Sequence, residues 1–195
     1  MSIAEATPRT ADVSAPLLPT LAERWSPRSF DPTVGIDDVT LRSALEAARW
    51  SPSANNSQPW RFIVARRGTE AFTTIVENLA GFNKAWASSA AVLVVAAAEV
   101  VDEDGNERRW AVYDLGQAVA HLTIQAHHDG LHAHQMGGFD AEGLRTAFGL
   151  EERFVPTSVT AIGVLGDPEA LPEPLRTRES APRARRALEE IAVVH

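Results

Sequence analysis

From Trp110 to Ala126 the chain reads WAVYDLGQAVAHLTIQA, apolar on most of its circumference when wound as a helix. A helix of that kind is buried on several sides, either at the centre of a domain or in a subunit interface. The surrounding 195-residue chain is long enough to supply one domain with a real core around it. The helical pattern runs from about Glu107 to Asp129, and Gly130 ends it.

The remaining segments say what could cover that helix. In IDDVTLRSALEAARW, Val39, Leu41, Ala44, Leu45 and Ala48 recur with a helical period, and Asp37 and Asp38 suit its first turn. This helix should stop near Trp50, because Ser51 precedes Pro52 and is pushed towards extended geometry. WRFIVA (60–65) reads as a short strand, TEAFTTIVENLAGF as a helix ending at Gly81, and AVLVVAAAEV (91–100) as a buried strand. LHAHQM is extended, DAEGLRTAFGL is a short helix, and SVTAIGVLG (158–166) is another buried strand. Irregular alternation of strands and helices predicts a sheet with helices packed around it, in the α+β class. Residues 1–19, with their prolines, read as a flexible N-terminal arm, and 20–195 as a single domain.

Composition narrows the functions. The absence of cysteine removes disulfides, thiolate metal sites and cysteine nucleophiles, so redox chemistry would require a bound cofactor. A net charge of −8 without a basic stripe disfavours nucleic acid, no apolar run is long enough to span a membrane, and no secretory signal pattern opens the chain. A cytoplasmic protein is expected. GxGxxG, GxxxxGK[ST] and GxSxG are all missing.

Four stretches carry candidate chemistry. In RWSPRSF, Arg24, Ser26 and Arg28 are spaced two apart around Pro27, so in an extended chain they share a side that suits a phosphate. A second basic cluster, Arg183, Arg185 and Arg186, could converge on the same anion. SPSANNSQPW (51–60) places Ser53, Asn55, Asn56, Ser57 and Gln58 on one loop, either to match a ligand edge of alternating donors and acceptors or to satisfy its own turn. In QMGGFD, Gly137 and Gly138 would let a flat ligand approach the backbone. His121, His127, His128, His132 and His134 lack HExxH-type spacing and an acidic partner at a fixed offset, which argues against a metal centre.

These stretches, in this order, resemble the nitroreductase family of FMN-dependent oxidoreductases. RWSPRSFDP resembles its Arg-x-Ser-x-basic-x-Phe opening, SPSANNSQPWRFIV its Pro-Ser-x-x-Asn-x-Gln-Pro-Trp segment, GLHAHQMGGFD its Gly-Leu…Gly-Phe-Asp segment, and RARR its basic end. The resemblance implies a mostly antiparallel central sheet surrounded by helices, and a homodimer with FMN at its interface. It implies that Arg24, Ser26, Arg28, Arg183 and Arg185 hold the phosphate and ribityl side. Pro52, Ser53 and Asn56 would reach in from the other subunit, Asn83 would meet the pyrimidine edge, and Gly137 and Gly138 would lie against the ring. Near the flavin N1–O2 side the family pattern falls between Lys84 and Trp86, and both stay open. NADH or NADPH would deliver a hydride to flavin N5 and a nitroaromatic, quinone or activated alkene would then be reduced in ping-pong fashion, with no side chain required as acid, base or nucleophile. The alternative is a flavin-binding or flavin-processing protein without ordinary NAD(P)H turnover.

Overall fold

Segments rich in β-branched and small apolar residues become β1 (Trp60–Arg66), β2 (Val92–Glu99) and β4 (Phe154–Gly163), and the more polar HAHQM becomes β3 (His132–Met136), in a computed structural model that describes residues 9–195. Every pairing is antiparallel and the strand order is β1-β2-β4-β3. Around the sheet stand α1 (Pro19–Glu23), α2 (Asp38–Arg49), α3 (Glu70–Asn78), α4 (Gly81–Ala87), α5 (Ala111–His128), α6 (Ala141–Ala147), α7 (Leu175–Ser180) and α8 (Leu188–Ile191).

The unbroken apolar run of β2 follows from its position. Leu93 and Val95 point into a core with Phe72, Ile75, Trp86 and Leu144, while Val92 and Val94 point into a second core with Leu41, Ala44, Ala118 and Leu122. Both faces of the sheet are covered, so no residue of the strand is required to be polar. Each large side chain buried this way stabilises the fold by about 1.5–3 kcal/mol. Asp37 caps α2 by accepting from the Thr40 N–H at 2.9 Å, and the helix ends at Arg49, as the Ser51-Pro52 step requires.

Helix α5 is covered on one side only by its own chain. Ala111, Leu115, Ala118, Leu122 and Ala126 are buried against α2 and the sheet, whereas Val112, Tyr113, Gly116 and Ala120 are exposed, Tyr113 at 64%. The apolar surface that the sequence carries all round is therefore half unused within one chain.

Helix α5 begins at Ala111 and not near Glu107, the last strand ends at Gly163 and not at 166, and two further boundaries differ from expectation. The helix expected to run to Gly81 stops at Asn78, because Leu79 turns extended to bridge Phe139, and Gly81 instead begins the separate helix α4. β4 starts at Phe154, ahead of the expected Ser158, and it accommodates Pro156 at an irregularity in its pairing with β2. Of the expected arm, residues 1–8 lie outside the described residues. From Arg9 onward the segment is tied down, with the Ala11 N–H on the Ala22 carbonyl at 2.8 Å and the Arg9 guanidinium on the carbonyls of Glu179 and Ala181. Among the described residues no helix is long and apolar enough to cross a membrane.

Candidate functional site

The segment 24–29 runs beside β3 and is fixed from two sides. His134 of β3 meets the Pro27 carbonyl through Nδ1 at 2.8 Å. From α7, Glu179 accepts the backbone N–H of Arg28 at 2.8 and 3.0 Å and that of Ser29 at 3.0 Å. Held this way, Arg24 and Ser26 do share a side, their Nη1 and Oγ lying 3.4 Å apart. The tail folds back so that Arg24, Ser26, Arg28, Arg178, Arg183 and Arg185 line one cleft of about 290 Å³ together with Arg9 and Trp25.

So many guanidinium groups in one place leave an electrostatic mark. Arg24 is pushed below its ordinary pKa by burial and by Arg185; Arg28 by burial and by Arg178, against the opposing pull of Glu179. Arg28 Nε is buried without a partner. An anion in the cleft would relieve both the mutual repulsion and that orphaned donor. Arg183 differs from the others. Its guanidinium donates to the carbonyls of Arg9 at 2.5 Å, Ala22 at 2.6 Å and Arg24 at 2.8 Å, so it clasps the tail to the amino-terminal segment. Arg185 donates only to the neighbouring Ala184 carbonyl and stays exposed.

A second group forms where α4 meets the chain after β3. Asn83 Nδ2 donates to the Gly138 carbonyl at 3.0 Å, and the Ala80 N–H shares that acceptor at 2.9 Å. A Cβ on Gly138 would sit 3.1 Å from Asn83 Nδ2 and 3.4 Å from the Ala80 Cβ, so a larger residue there would press on the Asn83 amide and require it to give by a few tenths of an ångström. At Gly137 a Cβ would meet no protein atom, which leaves its backbone approachable by a flat ligand. Leu79, Ala80, Gly137, Gly138 and Phe139 line this groove. The two groups adjoin, since Arg178 of the cleft lies over the ring of Phe82, next to Asn83.

The loop 51–59 stands apart from both, leading into β1 at the opposite edge of the sheet from β3. Three strand spacings of about 4.8 Å separate those edges. Pro52 and Asn56 are exposed, and Ser53 Oγ accepts the Gln58 N–H at 3.0 Å. The loop holds Asn55, Asn56 and Gln58 in the left-handed region, with φ of 53°, 53° and 48°. What anchors it is Asp114 of α5, only 3% exposed, whose carboxylate accepts the Ala54 N–H at 3.0 Å. Asp114 was not anticipated, although a lone acid inside an apolar helical run is a signal for it. Glu179 and Arg9 were not anticipated either, and no local pattern marks them.

His127, His132 and His134 serve packing, while His128 is exposed. His134 lies against Trp86, with ring centroids 4.6 Å apart, and His132 sits edge-on between Trp25 and His127. Burial drives both to a pKa of about 4, helped by Arg28 near His134 and by His127 near His132. No group of three or more potential metal ligands stands together among the described residues. Trp86, 2% exposed, is a core residue stacked on Phe30. Lys84 is exposed.

Comparison with known proteins agrees with this architecture. Residues 21–80 and 68–164 match the family model of the Nitroreductase family. The chain belongs to the nitroreductase family. A Mycolicibacterium smegmatis relative, described as an uncharacterized 15.4 kDa protein, is 44% identical over 143 residues, covering 68% of this chain and 93% of its own. The CLA biosynthesis enone reductase of Lactiplantibacillus plantarum is 27% identical over 202 residues, covering 85% of this chain and 90% of its own. A crystal structure described as an oxidoreductase containing FMN superposes with a TM-score of 0.90 at 33% identity, covering 96% of both chains.

Proposed function

We propose that this nitroreductase-family chain is an FMN-dependent oxidoreductase that uses NADH or NADPH to reduce an electron-poor small molecule, working as a cytoplasmic homodimer. The observation that carries the reading is the convergence of Arg24, Arg28, Arg178 and Arg185 on one cleft in a protein of net charge −8. The cleft suits a phosphate, and the Gly137–Gly138 groove beside it suits a flat ring. A relative whose structure is described as containing FMN supports joining the two.

In this reading Arg24, Ser26, Arg28 and Arg185 hold the FMN phosphate, while Arg183, in the wall of the same cleft, holds the tail in place by donating to three carbonyls. Asn83 fixes the Gly138 peptide, and the backbone at Gly137 and Gly138 faces the ring. Pro52, Ser53 and Asn56 lie at the far sheet edge of the same chain, so they reach this site from a second copy. The exposed stripe of Val112, Tyr113, Gly116 and Ala120 on α5 offers the surface through which that copy docks. When bound, FMN supplies hydride acceptance at N5 from NADH or NADPH and hydride delivery to a nitroaromatic, quinone or activated alkene. The chain contributes binding, orientation and positive charge, and neither His132 nor His134 is available as a proton donor near neutral pH.

Anaerobic titration of the flavin-loaded protein tests the reading. NADH or NADPH is expected to bleach the flavin absorbance, and an electron-poor acceptor is expected to restore it. Flavin that binds but stays oxidised with both nucleotides would instead indicate a flavin-binding or flavin-processing protein.

A further inference from the structure

We infer that Glu179 is a positioning residue for the anion cleft, setting the geometry with which Arg24, Ser26 and Arg28 grip a phosphate. The inference rests on the FMN reading for the identity of the ligand, but the geometry stands on this chain alone.

Glu179 is 2% exposed, and a carboxylate is buried at such depth only when its charge is compensated. Its compensation comes entirely from the segment it holds. Both oxygens take the Arg28 N–H, Oε1 also takes the Ser29 N–H, and Arg28 Nη1 stands 3.8 Å from Oε2. Adjacent residues of an extended chain point their N–H groups in different directions, so one carboxylate can take both only where the chain bends. Glu179 therefore dictates the backbone turn immediately after Pro27. Ser29 completes the turn by donating its hydroxyl to the Asp167 carbonyl at 2.7 Å.

Two consequences bear on the ligand. First, the Arg28 and Ser29 amides, which would otherwise be natural phosphate donors, are already spent, so at this turn the side chains of Arg28 and its neighbours are what can reach a phosphate. Second, among the described residues no carboxylate lines the cleft itself; Glu179 lies behind it, offsetting part of the repulsion among the guanidinium groups without competing for the ligand. It also draws Arg28 towards α7, while Arg28 Nε remains without a protein partner. A neutral amide at position 179 would place an N–H donor against the Arg28 N–H or side chain, and would remove the charge that steadies the cluster.

The test compares FMN with riboflavin, which has the same ring and ribityl chain but no phosphate, by fluorescence titration of flavin-free wild type, E179Q and Glu179→Asp. Wild type is expected to bind FMN more tightly than riboflavin. E179Q is expected to lose about tenfold or more in FMN affinity while riboflavin affinity changes less than about twofold. Glu179→Asp, which keeps the charge but is one methylene shorter, should fall between the two. A variant that weakens both flavins equally would reveal a merely structural role and overturn the inference, as would an unchanged FMN-to-riboflavin ratio. If E179Q does not fold, Glu179→Asp decides alone, since its ratio must drop below that of wild type. Wild type that fails to discriminate between the flavins would instead sink the FMN-phosphate reading itself.

Discussion

The neutral state of His132 and His134 makes stability depend on pH in a defined direction. In the unfolded chain each imidazole takes a proton as pH falls through its ordinary value of 6.5, while in the folded chain it does so only near 4. Between those values the unfolded state binds more protons, so stability is fully present above 6.5 and drains away as pH falls towards 4. At pH 5 a shift of that size corresponds to roughly 2 kcal/mol per ring. Both rings keep some access to water, which reduces the effect to about 1 to 1.5 kcal/mol each, or 2 to 3 kcal/mol for the pair. The assay is urea unfolding at pH 7.5, 6 and 5, at one protein concentration, for wild type and for the double variant His132→Phe/His134→Phe. The variant gives up the Nδ1 contact with Pro27 at every pH, so only the pH-dependent part of the difference is informative. Wild type is expected to lose about 2 to 3 kcal/mol more than the variant between pH 7.5 and 5. Parallel pH profiles would refute the argument, because titrating carboxylates act equally on both proteins.

Four further outcomes are expected. Arg24→Ala or Arg185→Ala should weaken FMN binding with the fold intact, whereas Arg183→Ala should release the tail and raise its cleavage in limited proteolysis, since it removes three carbonyl contacts. Asp114→Ala orphans the Ala54 N–H and should cost about 1–3 kcal/mol in chemical denaturation. Gly166→Ala would bring a Cβ to 2.5 Å from the Phe30 carbonyl carbon, and a thermal melt should show a loss of several degrees, consistent with overpacking worth about 1–3 kcal/mol.

The elements most readable from sequence were those whose environment is set locally or is uniform. β2 is apolar throughout because both faces are buried, and α2 carries its own cap and its own stop. The readings that failed were decided by distant residues. Nothing near Leu79 announces that Phe139 will draw it into an extended bridge. The arginine motif was legible as chemistry, but not the division of labour within it: Arg183 and Arg185 look alike in the sequence, and only the carbonyls of Arg9, Ala22 and Arg24 turn the first into a clasp. Glu179 was invisible for the same reason, since its partners lie about 150 residues away. Gly138 was legible from its own Gly-Gly pair, whereas Asn83 was legible only through family likeness, as its contact with the Gly138 carbonyl is made by tertiary packing.

The clasp between the two ends also orders events in time. Arg183 reaches across 174 positions to the Arg9 carbonyl, and Arg9 reaches back to Glu179 and Ala181. All four strands are complete once Gly163 has been made, so the sheet can assemble before the tail exists. The cleft cannot. Contacts of such separation carry the largest loop-closure cost and form late, so a nascent chain acquires its scaffold first and its capacity to hold an anion only after the segment with Arg183 and Arg185 has been made. A chain cut short after β4 would keep the whole sheet yet have no cleft in which to capture a cofactor.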